Sequence, residues 1–129
     1  MGSVGADQID VGRGATWTFG VSRACTSGIF VTLDGGKVKP AAYSAAGIIG
    51  TVFTKGSATG SITTAGVIME GVVQMTITGA DGTAGQMVKA TNGNAFPFTP
   101  TSLDRNDLVA GTLLEDVTNG NKGLIKLRL

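Results

Sequence analysis

Histidine is absent from these 129 residues, and cysteine occurs once, as Cys25. Without an imidazole the chain lacks the commonest general base and the commonest transition-metal ligand. Neither a Ser–His–Asp nor a Cys–His constellation can be assembled, and a Cys/His zinc site is equally out of reach. A lone thiol closes no disulfide within the chain, so packing or assembly has to supply the stability, and Cys25 is expected as a buried thiol. Aromatic residues make up 5% of the chain and charged residues 15%, with a net charge of +1. That balance provides no field to gather nucleic acid or an acidic surface. No apolar run is long enough for a membrane-spanning helix. Residues 1–14 also lack the basic start and apolar core of a secretory leader. The expectation is a soluble protein made in a cytoplasm, with no enzyme activity, cofactor, metal, nucleic acid, membrane or small-molecule substrate.

Glycine is abundant, with 21 copies, and short β-branched runs lie between the glycines. Residues 1–14 hold little that can be buried and read as a flexible arm. Ala15–Arg23 alternates, with Trp17, Phe19 and Val21 on one side and Thr16, Thr18 and Ser22 on the other, which predicts a strand with one buried face. Ile29–Leu33 and Lys37–Pro40 flank the turn Asp34-Gly-Gly36. Gln86–Ala90 and Asn94–Phe98 flank Asn92-Gly93, the strongest hairpin dipeptide. Ile48–Thr54 and Gly111–Thr118 read as a further matched pair of strands, and Val67–Thr78 as the longest strand. In the terminal strand Gly123–Leu129, Ile125, Leu127 and Leu129 point inward while Lys126 and Arg128 point outward. Helix is scarce: one turn over Leu103–Leu108 capped by Ser102, and one over Ala41–Gly47.

The chain also echoes itself. Gly28, Val31, Gly36 and Pro40 recur 57 residues later as Gly85, Val88, Gly93 and Pro97. After an insertion the echo resumes 64 residues apart, Ala46-Gly47 matching Ala110-Gly111 and Thr54-Lys-Gly56 matching Thr118-Asn-Gly120. A period this long seen twice predicts two facing copies of one β-rich unit. Two separate units of about 60 residues would each be marginal, so the copies are expected to share a core. The fold class that follows is all-β: a compact barrel or sandwich of two duplicated strand-turn-strand halves, with at most one or two helical turns. The arm covers residues 1–14 and one domain covers 15–129, with the repeat at about 28–58 and 85–122.

Little reactive chemistry is on offer. Asp104 with Asp107 reads as helix-end charge, although a hydrated calcium site is conceivable there. Glu115 and Asp116 alternate along a strand, so their side chains diverge and cannot share a proton. Glu70 reads as a solvated or interface charge. Gly12-Arg-Gly14 and Gly56–Gly60 lack the remaining residues of a phosphate loop and read as turns. Trp17 and Phe19 could stack a sugar or a base, but their alternation with threonines favours a core stripe. Phe96 and Phe98 share a face beside Pro97 and Pro100, an aromatic strand end suited to a subunit contact.

Read in order, the motifs are Gly28-x-x-Val-x-Leu-x-Gly-Gly-x-Val-x-Pro40, Ala46-Gly-Ile-Ile-Gly50, Glu70-Gly-Val-Val-Gln-Met75, Ala84-Gly-Gln-Met-Val88, Gly111-Thr-Leu-Leu-Glu115 and Ile125-Lys-Leu-Arg-Leu129. That order resembles the small decoration, or cement, proteins of tailed-phage capsids, over about residues 24–129. The resemblance implies a structural protein on the outer surface of an expanded head in the virion. It would be a homotrimer bound to the major capsid protein, bracing the shell against internal pressure. That family has no catalytic residues to carry over. Interface candidates are Val4, Ile9 and Val11 in the arm, Trp17 and Phe19 on the first strand, and Phe96, Pro97, Phe98 and Pro100. The other class to weigh is a tail or fibre component or a glycan-binding surface module.

Overall fold

Two tight hairpins organise the chain. The computed structural model describes residues 16–56, 63–99 and 108–128, and its strands run in the order β1 (Thr16–Gly20), β2 (Phe30–Asp34), β3 (Lys37–Pro40), β4 (Ile48–Thr54), β5 (Thr64–Ile68), β6 (Val72–Thr76), β7 (Met87–Thr91), β8 (Asn94–Phe98), β9 (Gly111–Leu113) and β10 (Lys122–Leu127). Asp34 pairs with Lys37 across Gly35-Gly36, and Thr91 pairs with Asn94 across Asn92-Gly93. All four turn residues have positive φ, the two-residue geometry that matches strand twist and that glycine and asparagine tolerate best.

The ten strands of the described residues form two antiparallel five-stranded sheets, ordered β1-β5-β4-β2-β3 and β6-β10-β9-β7-β8, so the protein is an all-β sandwich. Advancing every label in the first sheet by five gives the second. The likeness extends to details outside the strands. Val21 bridges Val38 in parallel and Ile77 bridges Ala95 in the same way, so each sheet curls until its two outer strands meet. Cys25 bridges Gly56 as Gly82 bridges Val117.

The shared register corrects the alignment of the repeat beyond Pro40. Val31 faces Gly50 and Val88 faces Gly111, so Gly50 and Gly111 are the matched glycines, 61 residues apart rather than 64. A Cβ on Gly50 would collide with the Ile68 carbonyl oxygen, and one on Gly111 with that of Lys126. Close passage of a neighbouring strand, not local spelling, fixes the equivalence.

Three other expectations are corrected. The long strand over Val67–Thr78 is two strands in different sheets, divided at Gly71, whose φ of 107° carries the chain from one to the other. The strand over Gly111–Thr118 stops at Leu113. No helix forms over Ala41–Gly47; the segment turns instead, with the Ala45 N–H donating to the Ala42 carbonyl and Ser44 at positive φ. The arm (1–14), Ser102 and its helical turn up to residue 107, the Asp104–Asp107 pair, most of the second glycine turn, and Leu129 lie outside the described residues.

Apolar burial falls into two clusters. Val21, Cys25, Val31, Val38, Val52, Ala65 and Val67 fill the first sheet. The second cluster fills the second sheet with Val73, Met75, Ile77, Val88, Leu113, Ile125 and Leu127, and it also takes Phe30, Ala41 and Ile68 from the first. Each fully buried aliphatic or aromatic side chain contributes about 1.5–3 kcal/mol. Main-chain bonds fasten the sheets as well: the Phe30 N–H donates to the Gly93 carbonyl (2.7 Å), the Gly93 N–H to Ala41 (2.8 Å) and the Ser44 N–H to Ala90 (2.9 Å).

Candidate functional site: an apolar and aromatic surface

Among the described residues the surface carries braced loops, a shallow groove and exposed apolar side chains. Acidic residues hold the loops of the second sheet. Asp81 accepts the Asn119 N–H and Asp116 the Ala84 N–H, both at 2.8 Å, and Glu115 accepts the Leu124 N–H at 3.0 Å. Glu115 and Asp116 therefore follow β9 in a loop rather than alternating along a strand, and each carboxylate serves a backbone amide. Glu70 is exposed.

Where the sheets meet lies a groove of about 190 Å³ lined by Ser27, Gly28, Thr51, Val52, Phe53, Gln74 and Lys122. Its lining contains no carboxylate or thiol. Ser27 already donates to the Phe53 carbonyl at 3.2 Å. Buried Thr51 directs its Oγ1 toward the Met75 sulfur at 3.4 Å. Cys25 is buried, its Sγ 3.2 Å from the Arg23 carbonyl oxygen, and desolvation raises the thiol above its ordinary pKa. Among the described residues no three His, Cys, Asp or Glu side chains are grouped to hold a metal ion.

The aromatic side chains form two separate features. On the second sheet, Lys89 and Phe96 are cross-strand partners, as are Met87 and Phe98. The Lys89 ammonium lies 4.9 Å from the Phe98 centroid, 5.0 Å from Tyr43 and 5.5 Å from Phe96. Tyr43 and Phe96 are 6.1 Å apart, with ring planes tilted by 39°. Each cation–ring contact of this exposed kind is worth about 0.5–1 kcal/mol. Tyr43 is 59% exposed and Met87 41%, while Phe96 and Phe98 are half-buried and Pro97 is buried against the core.

On the first sheet Trp17 is 62% exposed and Phe19 half-buried. The expected buried stripe of β1 is thereby corrected: of its three residues only Val21 is buried, and Trp17 and Phe19 lie at the end of the first sheet that no described residue covers. Leu33 is also exposed. Trp17 and Phe19 thus sit on one sheet and Phe96 to Phe98 on the other, as two patches. Val4, Ile9, Val11 and Pro100 lie outside the described residues. Tyr43, Lys89 and Leu33 were missed from the sequence. The alternation of Met87, Lys89 and Thr91 opposite Phe98, Phe96 and Asn94 was the signal for Lys89; nothing local marked Tyr43.

No protein-family model matches the chain, and no curated protein does. Among the solved structures that are similar is one that matches over nearly the whole of both chains. It is the N base of the head fiber gp8.5 in bacteriophage phi29, at a TM-score of 0.65 and 16% identity, covering 88% of this chain and 92% of that one. At that identity the likeness speaks for the fold: the chain is a two-sheet β protein of the same architecture as that head-fiber base.

Proposed function

We propose that this protein is a structural component of a phage head, attached to its outer surface, where it decorates and stabilises the shell as a homotrimer. The observation that carries the reading is the match over 92% of a head-fiber base, which agrees with the sequence resemblance to head decoration proteins. The surface is consistent with such work. Its polar side chains brace loops, the groove described above is lined by no carboxylate or thiol, and exposed apolar residues stand on both sheets. No catalytic step is assigned. The partner is the major capsid protein, and the virion exterior is the location. Several modest contacts from one trimer would combine through high effective concentration.

Cosedimentation with purified heads tests the reading. The protein pellets with expanded heads and stays in solution with unexpanded ones, and light scattering on the free protein gives three times the 13.0 kDa chain mass. Failure to pellet with either form removes the head from the proposal. A glycan-binding module is the second reading, favoured by the exposed rings of Trp17 and Tyr43; saturable sugar binding without head binding would replace the first.

A further inference from the structure

The two sheets share a register, so every position in one has a counterpart in the other, and one set of counterparts differs sharply in burial. In the second sheet Val73, Met75, Ala90, Ala110 and Leu127 are all at most 5% exposed and belong to one contiguous cluster. Their counterparts in the first sheet are Trp17, Phe19, Leu33, Ile49 and Met69. Trp17 is 62% exposed and Leu33 54%, and the other three are half-buried, packed on the first core from its edge.

What makes the difference is visible in the same cluster. The second sheet's residues are covered by Phe30, Ala41 and Ile68 of the first sheet, with Ala45 and Ile48 packed alongside. Phe30, Thr51 and Ile68 form one row across β2, β4 and β5, and that uncharged row closes the open end of the second sheet. Nothing among the described residues plays that part for the first sheet. Its open end is lined by five apolar side chains, four of them larger than their counterparts, and a tryptophan left this exposed does not close it from within.

We infer that the open end of the first sheet, lined by Trp17, Phe19, Leu33, Ile49 and Met69, is a docking site for an uncharged apolar β-surface of the head protein. The inference rests on the proposed function for the identity of the partner, and on the internal joint for its chemistry. The chain already shows what fits such an end: a sheet face bearing aliphatic and aromatic side chains and no charge. A second copy docking head-to-tail does not meet that description. The row matching Phe30, Thr51 and Ile68 on the second sheet is Met87, Thr112 and Lys126, and it would bring Lys126 to where Ile68 is fully buried. Burying an unpaired ammonium there is costly, so the lysine blocks open-ended stacking.

Trp17 is the only tryptophan, which makes the site its own reporter. In the free full-length protein its emission is solvent-like, accessible to acrylamide and unchanged by dilution. On adding expanded heads it moves to shorter wavelength and becomes protected from quenching. Trp17→Glu and Leu33→Glu, both at exposed positions, each weaken head binding by about thirtyfold, while Leu114→Glu, an equally apolar-to-acidic change at another exposed position, does not. Circular dichroism and a thermal melt confirm that the variants fold. If the wild type binds heads with no change in emission and both glutamate variants bind as well as it does, the docking site is wrong and the proposed function stands. If the wild type does not bind heads, that function fails and the named partner with it. Emission that is already buried in the dilute protein, or that shifts with protein concentration alone, places this chain itself on the site and overturns the inference.

Discussion

The first and second sheets have the same strand order, the same bridges and the same two-residue turns, yet the second is sealed and the first is not. A five-stranded sheet that curls on itself buries its middle and leaves its ends to be closed by something else. The second borrows Phe30, Ala41 and Ile68 from its neighbour. The first has no such neighbour within the described residues, so its larger side chains stand partly in solvent. The two units are thus alike in backbone and unequal in surface, and the inequality is where binding is expected.

Matched substitutions break or sharpen this contrast. The largest effect is expected from Leu127→Ala, which empties a sealed position and costs about 2–5 kcal/mol. Met69→Ala, its half-buried counterpart, costs about 1 kcal/mol or less by the same reasoning. Urea titration of both variants compares them, and equal losses would mean the two ends are equally sealed. Next, Gly50→Ala and Gly111→Ala each press a methyl group into a neighbouring carbonyl and lose about 1–3 kcal/mol. A large loss at one and none at the other would contradict the 61-residue register.

A smaller effect concerns Cys25, whose counterpart is Gly82. Burial holds its thiol above its ordinary pKa, so the neutral form is favoured in the folded state. The contribution is complete below the unfolded-state value and is lost as pH rises through the folded one. Stability measured at increasing alkaline pH should therefore decline in the wild type, and that part of the decline should vanish in Cys25→Ala. Smallest of all, Lys89→Ala removes the cation among Tyr43, Phe96 and Phe98 and costs about 0.5–1 kcal/mol. Thr32, the matching position in the first sheet, pairs with Lys39 and Ile48 instead of an aromatic residue, and Thr32→Ala should change less. A double-mutant cycle of Lys89→Ala with Tyr43→Ala isolates the coupling.

Much of this architecture was legible in the residues because it is local. Both hairpins are written in Gly35-Gly36 and Asn92-Gly93, and the alternation of β10 separates buried Ile125 and Leu127 from exposed Lys126. What was illegible depends on contacts between distant strands. The equivalence of Gly50 with Gly111 reflects a neighbouring carbonyl, not a shared dipeptide, so the spelling of Ala46-Gly47 misled. Apolar alternation runs on through Met69 and Val73, and only the backbone at Gly71 divides it between sheets. Trp17 carries the same pattern as a core residue; its exposure follows from what fails to cover it, and one sequence does not contain that information. The Lys89 cluster needs Tyr43, brought in from the segment after β3, more than forty residues away along the chain.

The joint at Gly93 has a practical consequence. Hairpin tips are ordinarily good places to graft a foreign peptide, and this molecule has two of them in matching positions. Beside Gly93 there is no room: a Cβ there would press on Ile29, and its amide and carbonyl are both engaged across the sheets. At Gly35 and Gly36 a Cβ would meet nothing within 4 Å. The fold has room for an inserted epitope or fluorescent tag in the first hairpin, at the cost of crowding the proposed docking site at Leu33, and the same insertion in the second would pry the molecule apart.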